Sequence, residues 1–448
     1  MTENSSLGRI LFITLGCAKN EVDTDRMRAL LLASGFEETF DVEDADAAIV
    51  NTCSFLASAT EESVEATLEL AESRAEGVRS CPIIMCGCVP SRYGDDLPDQ
   101  LPEVAAFVKA EDEDGIVDVV AGVLGVSVGA PMLDAGAMLR TVQGASAFVK
   151  ISEGCDRFCA FCAIPYIRGR YHSRPADEIV SEVSALMERG VREVVLIGQD
   201  TGIWGSDFDD DETLAKLLVR VAEVVRPYNG WVRVLYLQPE GMTDELIAAI
   251  RDTPEVLPYI DIPIQHCSAR VLKAMGRSGD PQQLHELFAK LRSEIPGMVL
   301  RTTGMAGFPG ETDEEADELF DFIESEEFDY TSVFAYSQEE GTRAAAMDGQ
   351  VDEETKLERT QRLIDLVEEL GFSATAKHVG ERVEVIVDGV EETEDGVELI
   401  GHAWFQAPDC DGAVHIASGE AAVGDIVTVD LVDSFCYEMV GEIVKEVM

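Results

Sequence analysis

Apolar positions along this chain fall into three successive patterns. Over residues 8–125, short apolar runs alternate with stretches of helical spacing. Residues 10–15, 47–51 and 82–86 read as strands, 21–33 and 58–76 as helices, and Gly77 would end the second helix. Continuous apolar runs mark strands covered on both faces, so this is a parallel α/β domain. Residues 126–145 are rich in Gly, Ala and Ser and read as a linker. The alternation resumes over 146–373. Strands are predicted at 147–152, 193–198, 231–237, 259–264, 298–303 and 330–336, with helices at 175–189, 211–225, 282–294 and 312–325. Six βα units suit an incomplete (β/α)6 barrel, with its active site at the C-terminal strand ends. From about Ala374 the helical period disappears. Residues 383–387, 397–403, 413–416 and 426–431 predict a small all-β barrel over 374–448. The class is α/β with a terminal all-β unit.

Length and composition agree. The 448 residues allow two or three domains, at roughly 100–200 residues each. With 46% hydrophobic and 27% charged residues the chain can build sizeable cores. No apolar core follows a basic stretch at the N-terminus, so nothing reads as a secretory signal. The apolar run over 117–133 is broken by Asp118, several glycines and Pro131, and is too interrupted to span a membrane. A cytosolic monomer without membrane contact is the default expectation. The odd count of eleven cysteines fits a reducing compartment, where thiols bind metal or do chemistry more often than they pair. Cys81, Cys86, Cys267, Cys410 and Cys436 lie in or beside apolar stretches and are expected to pack as small hydrophobes.

Three cysteines change the picture: Cys155, Cys159 and Cys162, spaced Cys-x3-Cys-x2-Cys. Three thiolates from one loop can hold three irons of a 4Fe-4S cluster and leave the fourth open to a small molecule. Zinc is the alternative, with His172 as a fourth ligand. Zinc sites usually draw on paired cysteine blocks, and this motif opens a barrel instead of a finger-like hairpin. Cys17, Cys53 and Cys88 each follow a predicted parallel strand. Loops after such strands gather along one sheet edge, so these thiols can meet. Gly16 and Gly87 would permit close backbone approach. A second cluster with an open iron is one reading, and unrelated free cysteines are the other. Cys86 rivals Cys88 but belongs to the strand.

The Cys-x3-Cys-x2-Cys loop opening a βα barrel resembles the signature of the radical S-adenosylmethionine superfamily. The resemblance implies that S-adenosylmethionine chelates the open iron and is cleaved to a 5′-deoxyadenosyl radical. The upstream cysteine triplet and the terminal TRAM-like barrel resemble the methylthiotransferases, over nearly the whole chain. That resemblance implies two 4Fe-4S clusters, held by Cys17, Cys53 and Cys88 and by Cys155, Cys159 and Cys162. One S-adenosylmethionine would donate a methyl group and a second would supply the radical.

Two branches divide that family by substrate. One, MiaB-like, modifies adenosine in tRNA. The other modifies an aspartate β-carbon of small-subunit ribosomal protein uS12. The stretches 15–20 with Val22-Asp23, 153–165, Arg168-Gly169, 199–201, 261–266 and 407–412 are similar to the second. Charge points the same way. The net charge is −53, and residues 374–448 hold seventeen acidic residues against Lys377, Arg382 and Lys445. An RNA-binding face needs cations to meet phosphates, whereas an acidic barrel suits a basic ribosomal protein. General proteome acidity is the rival explanation. The expected partners are therefore uS12 or the small ribosomal subunit and an unidentified electron-donor protein, with tRNA disfavoured. A metal-stabilised ribosome- or RNA-binding module is the non-enzymatic alternative.

The chain departs from the family pattern at Gly202 and Trp204, at Gly304-Met305-Ala306 and at Cys267. Gly198, Gln199, Gly307 and Gly310, at strand ends, are candidates for the S-adenosylmethionine pocket, although such glycines also simply turn the chain. Gly307-x-x-Gly310 lacks the Lys-Ser/Thr of a phosphate loop. His266 reads as structural. No side chain is singled out as catalytic.

Overall fold

A computed structural model describes residues 6–75, 81–129, 140, 142, 144–393 and 396–444. Gly77 and most of the 126–145 linker lie outside these. The chain folds as two compact units. The first takes Met1–Thr141, Glu153–Asp156 and Cys162–His172; the second takes Val142–Ser152, Arg157–Phe161 and Ser173–Met448.

The first unit holds strands β1 (Arg9–Thr14), β2 (Glu37–Thr39), β3 (Ala47–Thr52), β4 (Ile83–Gly87) and β5 (Val104–Lys109), all parallel in the order β2-β1-β3-β4-β5. Every residue of β3 and β4 is buried, as central strands covered on both faces require. The edge strands were not anticipated. β2 is Glu-Glu-Thr and shows no apolar run; β5 carries one over Val104–Val108, although its positions mix exposed and buried, and sequence reasoning passed over it. Helix Ala18–Ala33 starts three residues before its expected N-terminus, with Cys17 as its N-cap.

In the second unit β6 (Ser146–Lys150) enters a parallel sheet. A short ribbon joins β7 (Ser152–Glu153) to β8 (His172–Ser173). The sheet continues through β9 (Glu193–Ile197), β10 (Trp231–Val234), β11 (Val256–Asp261), β12 (Val299–Ala306) and β13 (Tyr330–Ala335). The order β13-β12-β11-β10-β9-β6 is the expected incomplete barrel. Val194, Val232, Ile260 and Leu300 turn one face toward helices Ala176–Glu188, Leu214–Val225 and Asp244–Asp252, forming the main core. Glu193, Arg233, Tyr259 and Arg301 alternate with them and face the other side.

The terminal unit is a closed barrel of β14 (Arg382–Thr393), β15 (Gly396–Ala403), β16 (Val414–Ser418), β17 (Ile426–Ser434) and β18 (Met439–Ile443), ordered β14-β15-β16-β18-β17. Closure pairs every strand and leaves no open edge. Its fifth strand and the preceding helix Glu353–Ala376 were not anticipated. Cys81, Cys86 and Cys267 are buried as expected, whereas Cys410 is exposed and Cys436 half-buried. No helix among the described residues is long and apolar enough to cross a membrane.

Candidate metal centres

Cys17, Cys53 and Cys88 are brought together in the first unit. Cys17 follows β1 at a helix N-terminus, Cys53 follows β3, and Cys88 opens the short helix Cys88–Tyr93 after β4. Two glycines make the convergence possible. Gly16 has φ +102°, and a Cβ there would lie 2.5 Å from the Cys53 Cβ. Gly87 has φ +90°, and a Cβ there would lie 2.2 Å from Asn51 Oδ1. No other residue fits either position.

Asn20 ties the loops to one another. Its Nδ2 donates to Leu15 O (2.8 Å) and Thr52 O (2.9 Å), and its Oδ1 accepts from Cys88 Sγ at 3.9 Å. Ser63 Oγ accepts from Cys53 N and donates to Cys53 O. Cys17 is exposed, whereas Cys53 and Cys88 are buried. Burial raises the Cys53 thiol and pushes Cys88 up to about 11, while the guanidinium of Arg168 pulls both back. Cys86 is wholly buried in one apolar cluster with Ile49 and Ile84.

The Cys155–Cys162 loop is shaped by its backbone. Gly154 has φ +73°, and a Cβ there would strike Arg170 O at 2.2 Å. Cys155 N donates to Gly169 O at 3.2 Å. Phe158 is left-handed, at φ 48°. In the second unit Ala160 N donates to Met275 O (2.7 Å), Ala160 O accepts from Ala344 N (2.8 Å), and Phe158 O accepts from Arg343 Nη2 (2.7 Å). Ala160 packs with Val271, Met275 and Phe308. Cys155 is buried and belongs to the first unit, as does the half-buried Cys162; Cys159, also half-buried, belongs to the second.

Two arginines accompany Cys159. Arg157 Nε donates to Asp200 (2.5 Å) and its Nη1 to Glu240 (3.0 Å). Arg277 donates to Gln238 and to Pro263 O. Burial raises the Cys159 thiol, and Arg277 and Arg157 oppose that rise. Sequence reasoning missed Arg157, Arg168 and Arg277 as parts of the thiol environment. Arg157 and Arg168 lie in the family-like stretches 153–165 and 168–169, but no spacing marks a cation that reaches a thiol through the fold.

The pocket candidates occupy strand ends with packing duties of their own. Gly198 follows β9, where a Cβ would meet Ser152 Oγ at 2.4 Å, and Gln199 follows it. Gly307 follows β12 at φ +77°, with the Lys356 side chain filling the space of a Cβ. Its N–H donates to the Glu311 carboxylate, and Gly310 N donates to Gly349 O. His266 is fully buried, and its Nδ1 accepts from Cys267 N and Ser268 N; burial lowers its pKa to about 4. The departures have packing reasons. Trp204 is buried with Nε1 donating to Arg174 O, Gly202 meets Gly241, and Cys267 Sγ donates to Glu318 O.

Among the described residues, no three His, Cys, Asp or Glu side chains gather closely enough to hold one metal ion. Thiols that ligate different irons of a cluster stand farther apart than ligands of a single ion. The convergent loops, the glycine cradles and the cations beside the thiols fit a cluster.

Comparison with known proteins matches residues 149–323 to the radical SAM superfamily, 9–109 to the uncharacterized protein family UPF0004, and 379–444 to the TRAM domain. The chain is 42% identical to ribosomal protein uS12 methylthiotransferase RimO of Pelobacter propionicus, over 98% of this chain and 99% of that one. It is 41% identical to the protein of the same name from Trichlorobacter lovleyi, over 99% and 100%. The fold resembles that of the radical S-adenosylmethionine methyltransferase TsrM from Kitasatospora setae, with TM-score 0.55, 14% identity, and 73% of this chain and 74% of that chain covered.

Proposed function

The chain belongs to the radical S-adenosylmethionine methylthiotransferase family, in the group of its RimO relatives, and on that footing we propose how its own residues serve the reaction. It is an enzyme that attaches a methylthio group to the β-carbon of an aspartate in ribosomal protein uS12. When bound, two iron–sulfur clusters and S-adenosylmethionine supply the sulfur, the methyl group and the radical that opens the C–H bond. Cys155, Cys159 and Cys162 hold the cluster that meets S-adenosylmethionine. Cys17, Cys53 and Cys88 hold the auxiliary one.

The single observation that carries this reading is the second thiol set. Generating a radical from S-adenosylmethionine needs one three-cysteine loop. A second, built by three separate strand ends with two obligatory glycines, answers to a transfer of sulfur. Arg157 and Arg277 supply positive charge beside Cys159. Gly198, Gln199, Gly307 and Gly310 lie where loops at the C-terminal strand ends can admit an adenosyl group. The acidic terminal barrel attracts a basic protein and repels the phosphates of tRNA. The enzyme works in the cytosol and receives electrons from a donor protein.

The test offers purified uS12 and tRNA in parallel to the anaerobically reconstituted enzyme with S-adenosylmethionine and a reductant. Mass spectrometry should find the methylthio adduct on an aspartate of uS12, lost in Cys155→Ala and in Cys17→Ala. An adduct on tRNA alone would transfer the protein to the tRNA branch.

A further inference from the structure

We propose that Arg168 is an electrostatic positioning residue for the Cys17, Cys53 and Cys88 centre, a buried cation that stabilises negative charge on a cluster held there. The inference rests on the reading that these cysteines carry an iron–sulfur cluster. It adds a residue from outside the 9–109 segment, and a way in which that segment is incomplete.

Three observations converge on Arg168. First, it is a deeply buried guanidinium, its side chain only 3% exposed. Nη1 meets Asp23 at 2.7 Å, Nη2 donates to Asn20 Oδ1 at 2.5 Å, and Glu153 stands 3.7 Å away. Asn20 and Asp23 lie three residues apart on helix Ala18–Ala33, so one helix face presents both. Second, Asn20 also orders the thiol loops, its Nδ2 donating to Leu15 O and Thr52 O, while its Oδ1 accepts from Arg168. The cation is therefore oriented by the residue that positions the thiols. Third, the segment that carries Arg168 packs on the thiol group, since Ala163 and Ile167 form one apolar cluster with Cys88.

The electrostatic consequence follows. Burying a guanidinium strips it of hydration, a cost that nearby negative charge must compensate. Asp23 supplies one charge at 2.7 Å, and the less buried Glu153 adds a second from 3.7 Å. Cys53 and Cys88 must be thiolates to ligate iron, and thiolates in a buried site need a cation. Three thiolates outweigh the charge of an oxidised 4Fe-4S core, and reduction adds one more electron. A fixed cation beside the sulfurs stabilises the reduced state more than the oxidised one, and so raises the reduction potential. Asp23 acts with the opposite sign.

The experiment is an EPR-monitored redox titration of the full-length reconstituted enzyme and of Arg168→Gln, Arg168→Lys and Asp23→Asn. Cys17→Ala identifies which of the two midpoints belongs to the auxiliary cluster. Arg168→Gln should move that midpoint to more negative potential, Arg168→Lys should restore it at least in part, and Asp23→Asn should move it to more positive potential. The other midpoint should stay. A purely structural residue has no reason to give shifts of opposite sign. If Arg168→Gln does not fold, Asp23→Asn decides alone: no shift, or a negative one, overturns the proposal. So does an unchanged auxiliary midpoint in a fully loaded Arg168→Gln. If the parent enzyme shows no second cluster signal at all, the functional reading fails before this inference is reached.

Discussion

The phenol of Tyr259, on β11, donates a 2.7 Å hydrogen bond to the carboxylate of Asp411 in the terminal barrel. Tyr259 is buried, the Asp411 side chain is only 1% exposed, and the same carboxylate takes Arg301 Nε at 3.1 Å and Ala407 N at 2.8 Å. An incomplete barrel leaves its inner strand faces open. Here the polar side chains on those faces are met by polar side chains of the terminal barrel. Glu193 joins Arg233 at 2.6 Å and also His402, whose Nδ1 meets Asp388 at 2.6 Å. The Arg233 guanidinium lies over the Tyr259 ring, 4.5 Å from its centre.

This contact predicts a graded loss of stability. Tyr259→Phe removes one hydrogen bond to a charged acceptor and should cost about 1.5–3 kcal/mol. Asp411→Ala leaves the half-buried Arg301 with Asp261, 3.3 Å away, as its remaining counter-charge and leaves Tyr259 Oη and Ala407 N without their acceptor, and should cost about 3–5 kcal/mol. Urea unfolding of the two variants and the parent reads both. Equal losses would show that Arg301 does not depend on Asp411.

The pH dependence of that contact has a definite sign. Burial works against a charged His402, but Glu193 and Asp388 outweigh it and raise its pKa to about 9. Burial likewise opposes a charged Glu193, but Arg233 and His402 hold it down at about 2. The histidine contribution is complete below its ordinary 6.5 and fades as pH rises through 9. The glutamate contribution is complete above its ordinary 4.5 and fades as pH falls toward 2. Melting temperature should therefore decline between pH 6.5 and 9, with a loss of about 2–3 kcal/mol. His402→Gln should flatten that decline, and parallel slopes in variant and parent would rule the mechanism out.

The two cysteine sets should be separable by iron content. Cys53→Ala or Cys88→Ala should drop iron from about eight to about four atoms per chain, as should Cys159→Ala or Cys162→Ala. Only the second pair should also abolish cleavage of S-adenosylmethionine. A cysteine variant that keeps full iron is not a ligand.

The glycine cradles make a steric prediction. Gly16→Ala places a Cβ against Cys53, and Gly87→Ala places one against Asn51 and the Thr52 backbone, on backbones at φ +102° and +90°. The strained backbone alone should cost about 1–3 kcal/mol. Reconstituted iron should fall toward that of Cys17→Ala. Gly94→Ala is the control, because it is also left-handed at φ +56° but has nothing within 4 Å of the new Cβ. It should keep its iron.

Charge should govern encounter with the substrate. Raising ionic strength from about 0.05 to about 0.5 M should increase KM for uS12 several-fold through screening. Cleavage of S-adenosylmethionine in the absence of uS12 should change little. A salt-independent KM would assign the acidity of the barrel to solubility instead of recognition.

Much of this protein is determined by sequence alone, because the decisive signals are local. Apolar runs and helical periods mark the central strands and most of the long helices, since burial on both faces writes itself into consecutive residues. Cys155, Cys159 and Cys162 mark a candidate centre within eight positions. The edge strand Glu37–Thr39 stays invisible, because Glu-Glu-Thr carries no apolar run. The start of helix Ala18–Ala33 was also hidden, since Ala-Lys-Asn lacks a hydrophobic period, and the cap falls to Cys17. Tertiary structure alone decided that Asn20 would bind three loops, that Asp411 would meet Tyr259 from 152 residues away, and that Arg168 would stand beside Cys88. Those partners are far apart in the chain, and a charge or hydrogen-bonding group shows no sign in sequence of which distant residue will lower the cost of burying it.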